Sequence, residues 1–295
     1  MAAQPLYGGQ ALIEGVMMRG PQVAAMAVRR PDGGIEIRVE KLGQWAHRVP
    51  GGRWPLVRGV VGLVESLAVG LGALSFSANV ASPEEEQLTP GQVRWTMVLS
   101  ALLAVAIFVI LPTWVTGFLV RWGWSHLALN MAEGLLRVIL LVGYLLLISR
   151  MEEIQRVLQY HGAEHKTIAA FEAGAPLTPR SVQQFPRFHP RCGTSYLLFV
   201  ALVAVFIFSF LGWPSLFWRV TSRLLLLPLV AGLAYEVLRL SAKGGEALWA
   251  RAVAAPGLWM QRWTTREPDE GQLEVAIAAF MAVREAEGHG EVREA

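Results

Sequence analysis

Long apolar runs constrain this chain more than any other feature of its sequence. Residues 95–120 are nearly continuous in Leu, Val, Ile, Ala and Phe, and so are 134–149, 194–213 and 223–240. The second run is short alone but extends back through 127–132. A helix needs roughly 20 apolar residues to cross the hydrocarbon core of a bilayer, and each run approaches that length. In hydrocarbon a helix can satisfy its own N–H and C=O groups, so an apolar run of this length reads as helix. Pro112 and Pro228 fall inside runs and predict kinks, which membrane helices tolerate. Hydrophobic residues make up 54% of the 295 and charged ones 17%. Soluble domains carry about a quarter charged residues, so the composition is that of a membrane protein.

The charges predict an orientation. Basic residues crowd three regions: the N-terminal part up to Arg94, the central stretch with Arg150, Arg156, Lys166, Arg180, Arg187 and Arg191, and the tail from Lys243. The connections near 121–126 and 212–222 hold one arginine each, Arg121 and Arg219, among Trp122, Trp124, Trp213 and Trp218. Positive-inside bias and the aromatic belt put those short turns outside. Four spans then leave both termini and the central stretch in the cytoplasm, at the inner (plasma) membrane. A further apolar segment, 57–81, is long enough to cross, yet Glu65 and Ser66 interrupt it and crossing would upset the charge count. It is expected to lie at the interface or to re-enter as a broken helix, with Glu65 a snorkelling or water-facing carboxylate ahead of a functional group at membrane depth.

The expected fold is an α-helical integral membrane protein with four transmembrane helices plus a small α+β cytoplasmic portion. Residues 1–55 form a cytoplasmic region, in which partly alternating runs flank Pro31-Asp32-Gly33-Gly34 and predict a β-hairpin. No basic n-region precedes an apolar core there, so no cleavable signal peptide is expected. Residues 56–82 are the interfacial or re-entrant helix, and an acidic linker covers 82–90. Residues 94–149 make a first transmembrane hairpin, 150–193 a cytoplasmic His/Cys loop, and 194–240 a second hairpin. Residues 241–295 are an amphipathic tail. Its first part has tryptophans and basic residues suited to a membrane surface, interrupted at Pro256-Gly257. Its second is a helix with Leu273, Ile277 and Phe280 on one face, and the residues from Gly288 are expected to fray. Glu133 with Arg137, and Glu236 with Arg239, have spacings that allow local pairing, and Glu236 falls level with the central loop.

That loop carries the chemistry. It holds His161, His165 and His189 of the six histidines, and the only cysteine, Cys192. A single cysteine excludes an internal disulfide. His161 and His165 are spaced i, i+4, so on a helix both imidazoles leave one face, with Glu164 at i+3 from the first. His189 and Cys192 form a second pair across Pro190. Four nitrogen and sulfur donors are what a structural zinc site uses, and three with an open position are what a catalytic one uses. In the second case Glu164 would act as general base. The sequence has HGAEH rather than H-E-x-x-H, so the zinc-protease roles do not transfer. A cysteine nucleophile activated by histidine ranks below both metal readings. Lys166, Arg187 and Arg191 make the loop basic, which fits a phosphate-bearing substrate, lipid headgroups or simply topology.

Four stretches, GGQALIEGVMMRGP, HGAEHKTIAAFE, FPRFHPRCGTSYLL and TTREPDEGQLEVAIAAF, resemble the YqhQ-like family of bacterial integral membrane proteins, along nearly the whole chain. The family is labelled a predicted metal-dependent enzyme, and the resemblance implies the same here. The leading expectation is a metal-dependent hydrolase at the cytoplasmic membrane face. A divalent metal, zinc first, would be bound by His161, His165, His189 and Cys192, with Glu164 handling protons. The alternative is a non-catalytic membrane scaffold or regulator with a structural zinc site. A transporter is disfavoured because four spans leave few buried charges for a pathway unless the protein forms a homo-oligomer. The lipid bilayer is the one partner implied; no motif points to nucleic acid or names a substrate.

Overall fold

The computed structural model describes residues 7–83, 87, 89–245 and 247–288. Four strands open the chain: β1 (Gly8–Leu12), β2 (Gly15–Arg19), β3 (Val23–Arg29) and β4 (Ile35–Lys41). They form one antiparallel meander in the order β1-β2-β3-β4. The expected hairpin is β3–β4, with Arg29 opposite Ile35; β1 and β2, hidden in the glycine-rich opening, were not anticipated. Both faces of the sheet are covered. Val16, Met18, Val23, Ala25 and Ala27 face one apolar cluster, and Met17, Ala24, Met26 and Val28 face another. A strand buried on both faces shows no polar alternation, which is why β2 was not legible as one.

Among the described residues the helices are α1 (Trp45–Arg48), α2 (Val57–Ala81), α3 (Pro90–Val105), α4 (Leu111–Gly117), α5 (His126–Ile148), α6 (Glu152–Glu172), α7 (Pro179–Val182), α8 (Gly193–Ser209), α9 (Leu216–Lys243), α10 (Leu248–Thr264) and α11 (Glu270–Ala286). Helices α6 and α11 cover the first face of the sheet, where Tyr7 meets Phe171 and Phe280 edge-on. A capping box starts α11: Asp269 Oδ1 accepts from the Gln272 N–H, and Gln272 Oε1 from the Asp269 N–H. Leu273 and Phe280 are fully buried, as the apolar face predicted. The frayed segment expected beyond Gly288 lies outside the described residues, as do 84–86 and 88 of the linker.

Helix α2 is unbroken, and its two halves have different partners. Its C-terminal half covers the second face of the sheet through Val69, Ala73, Phe76 and Val80. Its N-terminal end meets α9 closely: a Cβ at Gly59 would sit 2.8 Å from Tyr235 Cβ, and one at Gly232 2.8 Å from Leu56 O. Glu65 is not water-facing. It is 6% exposed and accepts from Arg19 Nη2 at 2.7 Å and the Trp45 N–H at 3.1 Å. Glu236, expected to pair with Arg239 or to approach the His/Cys loop, accepts instead from Arg58 Nε at 2.7 Å and the Leu56 N–H at 3.3 Å. It anchors the start of α2.

Four helices are long and apolar enough to cross a membrane: Val57–Ala81, Gly91–Trp122, His126–Ile148 and Leu216–Ser241. Gly193–Ser209 is apolar but shorter. By length alone α2 therefore joins the set and α8 leaves it, the reverse of the expectation from charge. Helix α8 nonetheless packs lengthwise between α5 and α9. Helices α3 and α4 are one run joined by a π-helical turn, Ala106–Ile110, just before Pro112. Pro112 has no N–H to offer the carbonyl four residues back. That carbonyl, Phe108 O, accepts from Arg137 Nε at 2.8 Å. Arg137 Nη2 also donates to Glu133 at 2.9 Å, so the anticipated Glu133–Arg137 pair exists. It belongs to a larger network. Glu133 Oε1 accepts from Thr113 Oγ1 at 3.0 Å and Arg223 Nε at 2.7 Å, and Glu133 Oε2 accepts from Arg223 Nη2 at 3.1 Å. Arg223 Nη2 also donates to Asn130 Oδ1 at 2.7 Å, and Asn130 Nδ2 to Leu211 O at 2.7 Å. One carboxylate thus ties α4, α5 and α9 together.

Helix α10 runs straight through Pro256-Gly257, where an interruption was expected. Gly257 serves close approach instead: a Cβ there would lie 2.5 Å from Ser195 Oγ, so α10 packs directly on the start of α8.

Candidate metal centre

The 150–193 stretch is not a loop through its first half. Helix α6 carries His161, Glu164 and His165, and the histidines share a face, as their spacing required. The chain then returns through α7 to Cys192, the residue immediately before α8. His161, His165 and Cys192 are all buried, and their donor atoms lie within 4.8 Å of one another. His161 Nε2 is 3.2 Å from Cys192 Sγ, and the two imidazole centroids are 4.4 Å apart.

Backbone carbonyls orient both rings. His161 Nδ1 is 2.6 Å from Thr264 O, and His165 Nδ1 is 2.6 Å from Arg187 O. A carbonyl can only accept, so each Nδ1 carries the proton and donates it. In the neutral rings each Nε2 then keeps a lone pair, the tautomer a metal ligand needs. The Thr264 carbonyl reaches His161 because the chain after α10 crosses α6 at Gly162. A Cβ at Gly162 would stand 2.0 Å from Arg266 O, so no side chain fits. The Arg266 N–H closes the crossing by donating to Leu158 O at 2.8 Å.

Cys192 sits at the N-terminal end of α8, where exposed N–H groups favour a thiolate. Burial pushes the thiol up, but the imidazoles of His161 and His165 outweigh it and hold Cys192 well below the usual thiol range. Burial depresses His161 in turn, and the Cys192 thiolate and Glu164 more than reverse this, pushing it up to about 9. Without a cation the pair is therefore thiolate and imidazolium. Glu164 is 5% exposed and lies against β1, where a Cβ at Gly9 would be 2.9 Å from its Cγ. Burial raises its pKa, and the imidazoles of His165 and His161 only partly offset that.

His189 stands beside the cluster rather than in it. Its ring centroid is 5.6 Å from that of His165, and it does not join the set of donors within 4.8 Å. Its Nδ1 accepts from the Arg191 N–H at 3.4 Å, so the proton sits on Nε2. That Nε2 is buried, finds no hydrogen-bond acceptor, and lies 3.8 Å from Glu172 Oε2. Gln261 clamps the His189 backbone from both sides: Oε1 accepts from its N–H and Nε2 donates to its carbonyl, each at 2.8 Å. Gln261 Nε2 also donates to Ser195 Oγ at 3.0 Å. Sequence reasoning missed Gln261, Thr264 and Gly162. Of these, Gly162, inside HGAEH, and Thr264, at the head of TTREPDEGQLEVAIAAF, stood in stretches already singled out. The loop's cations are matched: Lys166 Nζ pairs with Glu267 at 2.8 Å, and Arg191 with Glu172. Their charge is spent within the fold.

A family profile described as "Protein of unknown function (DUF1385)" matches residues 54–286, which include every residue of this centre on α6, α8 and α10. The chain belongs to that family. The uncharacterized protein YqhQ of Bacillus subtilis (strain 168) is 36% identical over 292 residues, covering 94% of this chain and 91% of the relative. No solved structure matches. The expected resemblance to YqhQ-like proteins is thereby shown; the DUF1385 profile begins after the β-sheet.

Proposed function

We propose that this DUF1385 protein is a metal-dependent membrane enzyme, a hydrolase in class, with its centre at the cytoplasmic face. The observation that carries the metal is the convergence of two carbonyl-oriented imidazoles and one thiolate in a buried cluster. Zinc suits that nitrogen and sulfur set best. His161, His165 and Cys192 would hold it, and His189 is the nearest further donor. When bound, such an ion lowers the pKa of water and polarises a carbonyl or phosphoryl oxygen. The chain's own part follows from position. The Thr264 and Arg187 carbonyls fix the tautomers, the sheet and α6 exclude water, and Glu164 supplies a carboxyl group beside the imidazoles to accept a proton. Three converging protein donors, rather than four, favour catalysis.

A second reading is a scaffold or regulator with structural zinc. The exposure of the site favours it: His165 is 1% exposed, Cys192 5% and Glu164 5%. Substrate sites are concave and reachable, and buried ligand sets are typical of structural metal.

The membrane arrangement we favour sends α3–α4, α5, α8 and α9 across. Helix α2 stays on the cytoplasmic side because its C-terminal half is the cover of a β-sheet. Its other half rests on the inner end of α9, and α8 crosses with its two neighbours.

Elemental analysis of protein purified in detergent without chelators tests the core of this reading. One equivalent of metal per chain is expected, lost in His161→Ala, His165→Ala and Cys192→Ala. Absence of stoichiometric metal from the wild type would end both readings. With metal present, Glu164→Gln separates them. Retained metal and fold with a lost cellular phenotype supports catalysis; an unchanged phenotype supports the scaffold.

A further inference from the structure

About 22 Å of α5 separates Glu133 from the cytoplasmic end of that helix, at 1.5 Å per residue over 133–148, so the Glu133 network is far from the metal centre. Three guanidiniums, those of Arg137, Arg219 and Arg223, gather near this single carboxylate, all buried. Glu133 already accepts four hydrogen bonds, from Thr113, Arg137 and twice from Arg223. None of these comes from Arg219, and no carboxylate among the described residues pairs with Arg219. Arg219 is 5% exposed, and its Nε and Nη1 are buried without an acceptor; so is Nη1 of Arg223, which is 1% exposed. Arg219 and Arg223 are i, i+4 on α9 and therefore share a face.

Guanidinium does not deprotonate in proteins, so these groups cannot escape burial by losing their charge. The cluster holds two more positive charges than negative ones. A buried charge is kept only when it is paired, and an ionisable group at membrane depth marks a ligand or ion site. We propose that Arg219 and Arg223 form an anion site within the helix bundle, for a phosphate-type oxyanion, either free phosphate or a phospholipid headgroup. The N–H groups left for such an anion come from both guanidiniums, Nε and Nη1 of Arg219 and Nη1 of Arg223, because Arg223 Nε and Nη2 already serve Glu133. Trp213, half-exposed in the short turn between α8 and α9, lies over Arg219 at 4.0 Å and is its cover on that side. Gly117 leaves no side chain between α4 and Arg219: a Cβ there would be 3.4 Å from Nη2. This site does not depend on the metal reading.

Two arms test it on the full-length protein. Lipid-stripped protein in detergent is titrated with inorganic phosphate by calorimetry. Protein from nanodiscs of phosphatidylglycerol or phosphatidylcholine is examined for retained lipid by native mass spectrometry. Saturable phosphate binding assigns the free ion. Retention of phosphatidylglycerol at least tenfold above phosphatidylcholine, without a phosphate response, assigns the headgroup. In either arm Arg219→Gln is expected to weaken binding at least tenfold, while Arg121→Gln, on the exposed turn, leaves it unchanged. Arg219 has no ion pair to lose, so the variant is expected to fold. Arg219→Lys, which keeps the charge and loses the fork, gives an independent variant with at least threefold weakening. The proposal is overturned if wild type binds neither probe, if the Arg219 variants bind as wild type, or if Arg121→Gln weakens binding equally.

Discussion

Two buried polar clusters, one on α6 beside the start of α8 and one inside the helix bundle, present opposite kinds of polar group. The His161–His165–Cys192 cluster gathers nitrogen and sulfur donor atoms within 4.8 Å of one another. The Glu133 network gathers guanidiniums, and N–H groups of Arg219 and Arg223 there have no acceptor. Both use backbone carbonyls for orientation: Thr264 O and Arg187 O for the imidazoles, Phe108 O for Arg137. What differs is the origin of those carbonyls. The His/Cys cluster draws them from Thr264 and Arg187, outside α6, so it depends on the packing of separate segments. The bundle network takes one from a proline-disturbed helix, so it is written into α3–α4 itself. A polar group buried in this protein is therefore not simply tolerated.

Removing the charge that balances the bundle should have the largest effect. Glu133→Gln leaves three guanidiniums facing a neutral amide, and loss of one partner from a buried ionic network costs about 3–5 kcal/mol. A large fall in unfolding temperature in detergent is expected. A change near zero would show that the guanidiniums are solvated from elsewhere.

Gly162→Ala comes next. The added methyl meets Arg266 O, and overpacking costs about 1–3 kcal/mol, occasionally more. Because the crossing also positions Thr264 O, the variant should lose metal as well as stability. Elemental analysis of the folded fraction checks this, and full metal occupancy would show that the carbonyl does not hold His161.

A smaller, spectroscopic effect separates the clusters by pH. In metal-free protein the thiolate absorbance of Cys192 near 240 nm should persist below the usual thiol range and vanish in Cys192→Ser. His161 is raised in the folded state. Its share of stability is full below the ordinary histidine value of about 6.5. That share is lost as pH rises through about 9. His161→Ala should return the thiolate titration toward ordinary thiols; an unmoved titration would remove the imidazole as its cause.

The smallest effect calibrates the rest. Arg156, about half exposed, pairs with the partly exposed Glu14 at 2.5 Å. Arg156→Gln should cost about 0.2–1 kcal/mol, as exposed pairs do. A loss comparable to that of Glu133→Gln would erase the distinction between buried and surface charge drawn above.

The sequence by itself determined the apolar helices, the β3–β4 hairpin, the amphipathic α11 and the shared face of His161 and His165. These follow from periodicity, turn chemistry and run length, all of which are local. It also pointed to three of the donors that converge. Tertiary structure alone decided that β1 and β2 complete a sheet: β2 is covered on both faces and carries no alternation, and β1, Gly8–Leu12, opens on two glycines. It decided that α2 is half sheet cover, that Glu236 serves Arg58 rather than the His/Cys stretch, and that His189 stands aside, its Nδ1 held by the Arg191 N–H. It decided, too, that Arg219 and Arg223 face a carboxylate 90 residues away from Arg223 in the chain. Such pairings depend on which helix surfaces meet, and no local pattern encodes the meeting of two segments so far apart.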